Sequence, residues 1–293
     1  MEYRRAGGEI EISGVADFDI GRTFECGQCF RWNADGSGAY VGVALGRAAR
    51  VRSEGASVYI TGGTADFESA WRQYFDLDTD YEAIRRSLCV DEFMESAARF
   101  GAGIRILRQD KWEALCSFII SQRNNIPRIK KIVETLCREF GDPIEFEGRV
   151  CWDFPPPERL AALTEGELAP LRSGYRAPYI IAAARAVASG EVDLEMLAGE
   201  DCADAPRALK ALPGVGDKVA NCVALFGLHK LDVFPIDTWM KKVIDSRYGG
   251  KLDPAVFGGY AGIAQQYMFF HARSATPRRR SESPKNGPQP RRA

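Results

Sequence analysis

From Asp110 to Arg273 the apolar positions recur mostly at three- and four-residue spacing. Trp112, Leu115, Cys116 and Ile119 follow the i, i+3, i+4, i+7 template of an amphipathic helix. The run "SQRNNIP" interrupts it. A second helix is predicted with Ile129, Ile132, Val133, Leu136, Cys137 and Phe140 on one face, Pro127 at its start and Gly141 at its stop. "CWDFPPPERL" reads as a proline-rich connection, and "APYIIAAARAVASG" as another helix ended by glycine. The first hundred residues differ. "AYVGVALG" and "ASVYITGG" are β-branched runs closed by glycine and predict strands of a small sheet. "FESAWRQYFDLD" and "DYEAIRRSL" then return to helical spacing. The expected class is α+β: an N-terminal β-sheet domain followed by an all-α body, with no internal repeat.

Composition narrows this only a little. The 293 residues are 45% hydrophobic and 27% charged, the balance of a chain with a real core. No apolar run approaches the length needed to span a bilayer, and the N-terminus does not read as a signal peptide, so a protein that stays in the cell is expected. That means the cytoplasm or nucleoid of a bacterium, or a eukaryotic nucleus. Of eight cysteines only Cys26 and Cys29 are closely spaced, and two histidines in the whole chain leave a zinc site short of ligands. No metal and no cofactor are expected. The net charge of −1 does not announce a nucleic-acid partner. It hides an asymmetry, because residues 275–293 carry six basic residues against one acidic. That Pro-, Ser- and Arg-rich tail has no apolar period and is expected to be disordered. Domain limits are expected at 1–108, 109–273 and 274–293.

The stretch "PRALKALPGVGDKVANCVALFG" reads as helix, tight hairpin, helix. Pro213 breaks the first helix, while Gly214 and Gly216 permit conformations closed to other residues. The second helix points free backbone N–H groups forward, a ready site for a phosphate. By spacing alone this is either a plain helix corner or a helix-hairpin-helix element that holds DNA backbone without reading sequence. Lys218 in that helix is either a solvated or phosphate-bound lysine, or a nucleophile. The positive end of the helix dipole disfavours an ammonium there, and a neutral amine can form a Schiff base with a sugar carbon. Cys222, four residues on, shares its face. Asp237, after Pro235 and Ile236, reads as a helix N-cap, and a carboxylate so fixed can also stabilise a developing cation.

The hairpin, Lys218 and Asp237, with "CGQCFRW", "YFDLD", "ILRQDKWEALCSFIISQRNNIPRI", "GYRAPYI", "PIDTWM" and "YAGIAQQYMFF", resemble the 8-oxoguanine DNA glycosylase/lyases of the helix-hairpin-helix superfamily from about Phe24 to Arg273. The resemblance implies an antiparallel N-terminal sheet beside a two-part helical body, acting as one chain on double-stranded DNA containing 8-oxoguanine. It implies that Lys218 attacks C1′ and then supports β-elimination, and that Asp237 stabilises the oxocarbenium-like transition state. It places Phe269 and Cys222 about a flipped purine, Gln265 on its Watson–Crick edge, and the Gly27 carbonyl on N7–H of the lesion. Arg128 and Arg176 would hold the estranged cytosine, with Asn124 nearby and Tyr175 wedged into the gap. Gly214 and Gly216 would hold the backbone, and Trp239 would lie near the lesion's phosphate.

The chain departs from the pattern at two of these places. Many eukaryotic members have asparagine at the position of Arg123 and histidine at that of Trp239, which bears on opposite-base strictness and on how the phosphate is held. No cysteine follows position 222, so the iron–sulfur loop of endonuclease III-like relatives is missing. A non-catalytic helix-hairpin-helix module would not need the lysine and aspartate together. A monofunctional alkylated-base glycosylase would lack the lysine.

Overall fold

The computed structural model describes residues 1–199 and 204–275. Of the basic tail read at 274–293, residues 276–293 lie outside the described residues. Six strands, β1 (Glu2–Ala6), β2 (Glu9–Ser13), β3 (Asn33–Ala34), β4 (Tyr40–Ala44), β5 (Arg47–Glu54) and β6 (Ser57–Thr61), form one sheet in the order β1-β2-β6-β5-β4-β3. Every pairing in it is antiparallel. Register puts Ile10 opposite Ile60 and Ile60 opposite Val51, so alternate residues of three neighbouring strands share one buried face. β2 alternates charged with apolar residues and the edge strand β1 carries two adjacent arginines, so neither has the β-branched run that marks β4 and β6 in the sequence.

Under the sheet lies an aromatic cluster. Phe24 stacks on Trp32 at 4.5 Å between centroids, and the Trp32 indole N–H donates to the Tyr74 hydroxyl at 2.8 Å. The predicted helix "FESAWRQYFDLD" is irregular: Phe67–Trp71 forms a wide π-type turn before Arg72–Tyr74 resumes α geometry. That widening lets Phe67, Trp71, Tyr74 and Phe75 all enter the sheet core. A second, larger core fills the helical body. It takes Cys26 and Phe30 from the N-terminal part, and residues of the helices Tyr81–Ser87 and Glu92–Phe100. The two cores are therefore not separated at one point in the chain.

The helix Lys111–Ser121 runs through the centre of the body, capped by Asp110, which accepts from the Glu113 N–H at 2.8 Å. Every residue from Trp112 to Ile120 is buried, so the amphipathic stripe read from the sequence is closed over on its other side too. The helix Ile126–Phe140 follows with the expected apolar face inward, capped by Asn125 and ended at Gly141. Ahead of the proline-rich connection, and taking in its first two residues, β7 (Pro143–Phe146) and β8 (Arg149–Trp152) make a hairpin that the sequence had not suggested. Its turn, Glu147 and Gly148, has positive φ at both residues, the geometry that matches strand twist.

Glu113 is buried beside Arg31, with a closest approach of 3.5 Å. Burial pushes its carboxyl up to about 7, and the guanidinium reverses only part of that shift. Because the folded state holds the proton more tightly than the unfolded chain, this contribution to stability is complete below about pH 4.5 and is lost as pH rises through 7. Glu113→Gln imitates the protonated form. Thermal melts should show the variant gaining on the wild type between pH 5 and pH 8, by roughly 2–4 °C for each kcal/mol recovered. A difference between the two proteins that is constant with pH would refute the assignment.

Candidate active site and nucleic-acid interface

The hairpin joins the helix Asp204–Leu209 to the helix Asp217–Phe226. Its turn is closed by Val215 N–H donating to the Leu212 carbonyl at 3.1 Å. Gly214 has φ +78°, and any Cβ placed on it would sit well inside contact with the Tyr179 ring. Gly216 caps the second helix in an extended conformation with no side-chain bond to the first-turn N–H groups. Those donors face outward beside an exposed glycine that has nothing within 4 Å of a built Cβ. The sequence thus folds into a tight corner with an open helix N-terminus, the shape that accepts a phosphate oxygen.

Lys218 enters from the first turn of that helix, half-buried. Its Nζ donates to Ser121 Oγ at 3.2 Å and lies 5.2 Å from the centre of the Phe118 ring. Cys222 is buried one turn further on. Burial pushes its thiol up; Lys218 pulls it partly back and Asp237 adds to the rise, so both charged groups act at that thiol. Asp237 caps the helix Thr238–Arg247, its Oδ1 accepting from the Met240 N–H at 2.8 Å. An amine and a thiol from one helix and the carboxylate that caps another thereby act on one another.

Gly27 occupies the left-handed region at φ +92°. A Cβ there would come within 3.3 Å of Ile126 Cδ1 and Arg273 Nη1 and 3.5 Å of Phe269 Cε1. Its neighbours are pinned: the Cys26 carbonyl accepts from Gln266 Nε2 at 3.0 Å, and buried Gln28 donates to the carbonyls of Thr23 at 2.9 Å and Arg105 at 2.7 Å. Cys26 and Cys29 are both buried, and burial pushes the Cys26 thiol up to about 11. On the helix Ala261–Ala275, Gln265, Phe269 and Arg273 follow at four-residue spacing on one face. Gln265 is buried with Oε1 unpaired, and the Arg273 guanidinium lies 5.5 Å from the centre of the Phe269 ring.

A second cluster surrounds the end of the helix Lys111–Ser121. Tyr175, half exposed, donates its hydroxyl to the Gln122 carbonyl at 3.4 Å, and the Arg176 guanidinium packs 4.4 Å from the centre of its ring. Arg176 Nε donates to the same carbonyl at 3.0 Å. Exposed Arg128 donates to the Arg172 carbonyl at 3.3 Å. Asn124 turns inward, Nδ2 donating to the Ile120 carbonyl at 3.3 Å.

Two family models cover most of the chain: residues 12–115 match the 8-oxoguanine DNA glycosylase N-terminal domain, and residues 116–255 match the HhH-GPD superfamily of base excision DNA repair proteins. The chain superposes on the Clostridium acetobutylicum 8-oxoguanine glycosylase/lyase, solved with double-stranded DNA containing cytosine opposite 8-oxoguanine, with a TM-score of 0.89 and 34% identity over 94% of this chain and 98% of that one. A structure of MBOgg1 in complex with a low-affinity DNA ligand gives a TM-score of 0.89 and 42% identity over 94% of this chain and 99% of that one. The N-glycosylase/DNA lyase OGG1 of Arabidopsis thaliana is 32% identical over 84% of this chain and 75% of its own length. For the Saccharomyces cerevisiae N-glycosylase/DNA lyase the figures are 35% over 60% of this chain, which spans half the length of that relative.

The chain belongs to the 8-oxoguanine DNA glycosylase/lyase family.

Within this glycosylase the fold brings Lys218, Cys222 and Asp237 together, sets Gly27 against Phe269, and joins Tyr175 and Arg176 to the Gln122 carbonyl. The Trp239 ring takes the Lys242 ammonium at 5.0 Å and lines a depression with Phe93, Arg247 and His271. Sequence reasoning missed Ser121, which receives the Lys218 amine, and Arg273, which flanks Gly27. It also missed Tyr179, whose ring carries the hairpin glycine. Ser121 and Tyr179 sat inside the quoted stretches, but nothing in their spacing pointed across the fold. Among the described residues no cluster of His, Cys, Asp and Glu could hold a metal, and no helix is long and apolar enough to cross a membrane.

The contact of Gly214 with Tyr179 makes a direct test. Gly214→Ala adds left-handed strain of about 1 kcal/mol to a steric conflict with the ring, so it should lower the melting temperature and weaken binding to undamaged duplex. Adding Tyr179→Ala should relieve the conflict and restore part of the stability. A Gly214→Ala protein that melts like the wild type would show that the hairpin does not depend on this contact.

Proposed function

We propose that this glycosylase excises 8-oxoguanine lying opposite cytosine in duplex DNA and then cleaves the strand through a Schiff base on Lys218. The observation that carries the reading is the gathering of Lys218, Cys222 and Asp237 behind an open helix N-terminus. The damaged nucleotide must leave the duplex for Nζ to reach C1′. The hairpin grips the backbone, and Tyr175 fills the gap left in the stack. Lys218 attacks C1′ as the glycosidic bond breaks, and the base departs with the bonding pair. Positive charge grows on the sugar ring, and the fixed Asp237 carboxylate stabilises it. Loss of the ring oxygen bond gives the protonated imine. Removal of a C2′ proton then expels the 3′ phosphate and nicks the strand.

Phe269 and Cys222 form the two faces of the base pocket, and Gln265 brings a buried, unpaired oxygen to the base's polar edge. Gly27 supplies the discrimination. Its carbonyl accepts from N7–H of 8-oxoguanine but would confront the lone pair of guanine N7, leaving a buried acceptor unpaired at about 1–3 kcal/mol. Glycine suits the position because other residues rarely adopt its φ of +92°, and a Cβ would press on Ile126 and Arg273 at 3.3 Å.

Incubation with an 8-oxoguanine duplex and borohydride should trap a covalent adduct with the wild type and none with Lys218→Gln, which should still bind the duplex. An adduct at near wild-type yield from that variant would remove Lys218 from the mechanism.

Asp237→Asn separates the cap from the charge, because asparagine caps a helix as well as aspartate. The variant should melt within a few degrees of the wild type while single-turnover excision falls on the order of a hundredfold. Unchanged excision would leave Asp237 as a cap alone.

A further inference from the structure

None of the three side chains that enclose the base pocket is an acid that can protonate a departing base at neutral pH. Phe269 and Gln265 have no such proton, and burial pushes the Cys222 thiol up, so it keeps its own. Asp237 is engaged at the Met240 N–H and serves the sugar. A fixed cation stands at the pocket wall. Arg273, half-buried on the helix Ala261–Ala275, donates through Nη2 to the Glu25 carbonyl, and its Nη1 lies 3.3 Å from the place a Gly27 Cβ would take. Its guanidinium is 5.5 Å from the centre of the Phe269 ring and 5.8 Å from that of Phe270. A bond to a neutral carbonyl leaves the charge in place, and the adjoining segment feels it. Burial raises the Cys26 thiol, and a bond from the Gln28 N–H and then the Arg273 charge draw part of that rise back.

We infer that Arg273 stabilises the departing 8-oxoguanine as an anion, its fixed charge acting across Gly27 on the edge of the base that carries N7 and O8. This rests on the glycosylase reading above and adds a group to the same site. When the C1′–N9 bond breaks, its electron pair stays on N9 while Lys218 Nζ makes the new bond to C1′. N9 is conjugated with the C8 carbonyl, so the negative charge is shared between N9 and O8. O8 stands on the carbon next to N7, and N7–H is the group that meets the Gly27 carbonyl. The base thus turns O8 toward the wall where the guanidinium is fixed. No proton crosses in this step: a guanidinium keeps its protons, and the base takes one from water after release. A cation so placed favours the transition state over the bound substrate, because charge grows on O8 only as the bond breaks. Guanine carries hydrogen at C8 and cannot spread its charge there. Arg273 therefore discriminates in rate, where the Gly27 carbonyl discriminates in binding.

The test compares the intact wild type with Arg273→Gln, which keeps a donor for the Glu25 carbonyl without the charge, and Arg273→Lys, which keeps the charge. Single-turnover excision from an 8-oxoguanine duplex should fall at least about tenfold in Arg273→Gln, and Arg273→Lys should recover most of the loss. Strand cleavage at a preformed abasic site, where no base departs, should fall far less. Binding is read by fluorescence anisotropy with Lys218→Gln added to each protein, so that no chemistry follows. The preference for an 8-oxoguanine duplex over a guanine duplex should then change less than the excision rate does. Excision by Arg273→Gln at the wild-type rate overturns the proposal, as does an Arg273→Lys protein equally slow with its charge kept. A loss of binding preference as large as the loss of rate would make Arg273 a holder of Gly27 alone and overturn it too. So would equal losses of excision and of abasic-site cleavage. Arg273→Met, whose stem stays on the Phe269 and Phe270 rings, replaces the glutamine variant if that one fails to fold. The glycosylase reading fails separately, if wild type itself releases no 8-oxoguanine.

Discussion

The segment that ends one buried helix holds the site together. The helix Lys111–Ser121 lies wholly inside the protein over most of its length, and an α-helix ends with carbonyls that have no partner along their own helix and with the negative end of its dipole. Its last carbonyls are met locally, by Ser121 Oγ, Gln122 and Asn124, and the short segment so fixed just past the helix takes donors from two other parts of the chain. Ser121 Oγ receives the Lys218 amine, the Gln122 carbonyl receives Tyr175 and Arg176, and the Arg123 carbonyl receives Arg176. Groups assigned to the lesion strand and groups assigned to its partner are thus anchored within three consecutive residues.

Lys218 stands where two helix ends meet. The first turn of its own helix repels an ammonium, while the end of the central helix attracts one. The amine is held at a boundary, donating to a hydroxyl and lying over an aromatic ring, and no carboxylate bonds it directly among the described residues. An amine committed to an ion pair would have to break that bond before it could attack carbon. Asp237 is kept nearby but engaged with the Met240 N–H, which fixes its direction.

The N-terminal domain brings Cys26, Gly27 and Gln28 to the site, and buried polar groups fix them. Gln28 ties the segment to Thr23 and Arg105, Gln266 reaches across from the last described helix to the Cys26 carbonyl, and Arg105 donates to carbonyls of Ala16 and Asp17 and to that of Asp76. A backbone carbonyl can distinguish donor from acceptor only if it cannot swing away. The buried hydrogen bonds of this segment supply that rigidity.

The sequence by itself determined the elements whose cause is local. Apolar spacing, Pro127 and Gly141, and the Pro213–Gly216 break are read within a few residues, and so are the helices and the hairpin they predict. It also marked Lys218 and Asp237, because a lysine in a first turn and an aspartate at a cap each sit in a recognisable local setting. Strands β1 and β2 and the hairpin turning at Glu147 and Gly148 were less legible: their charged, weakly β-branched residues hid two local hairpins, and only the pairing of β2 with β6 joins distant segments. Tertiary structure alone decided that the central helix is buried on every side, that Gly27 meets Phe269, and that Arg176 turns inward. These are contacts between residues from about fifty to more than two hundred positions apart. Periodicity reports which face of an element is apolar. Which element covers that face, and which carbonyl a guanidinium finds, is settled only when the packed fold leaves each buried polar group one partner within reach.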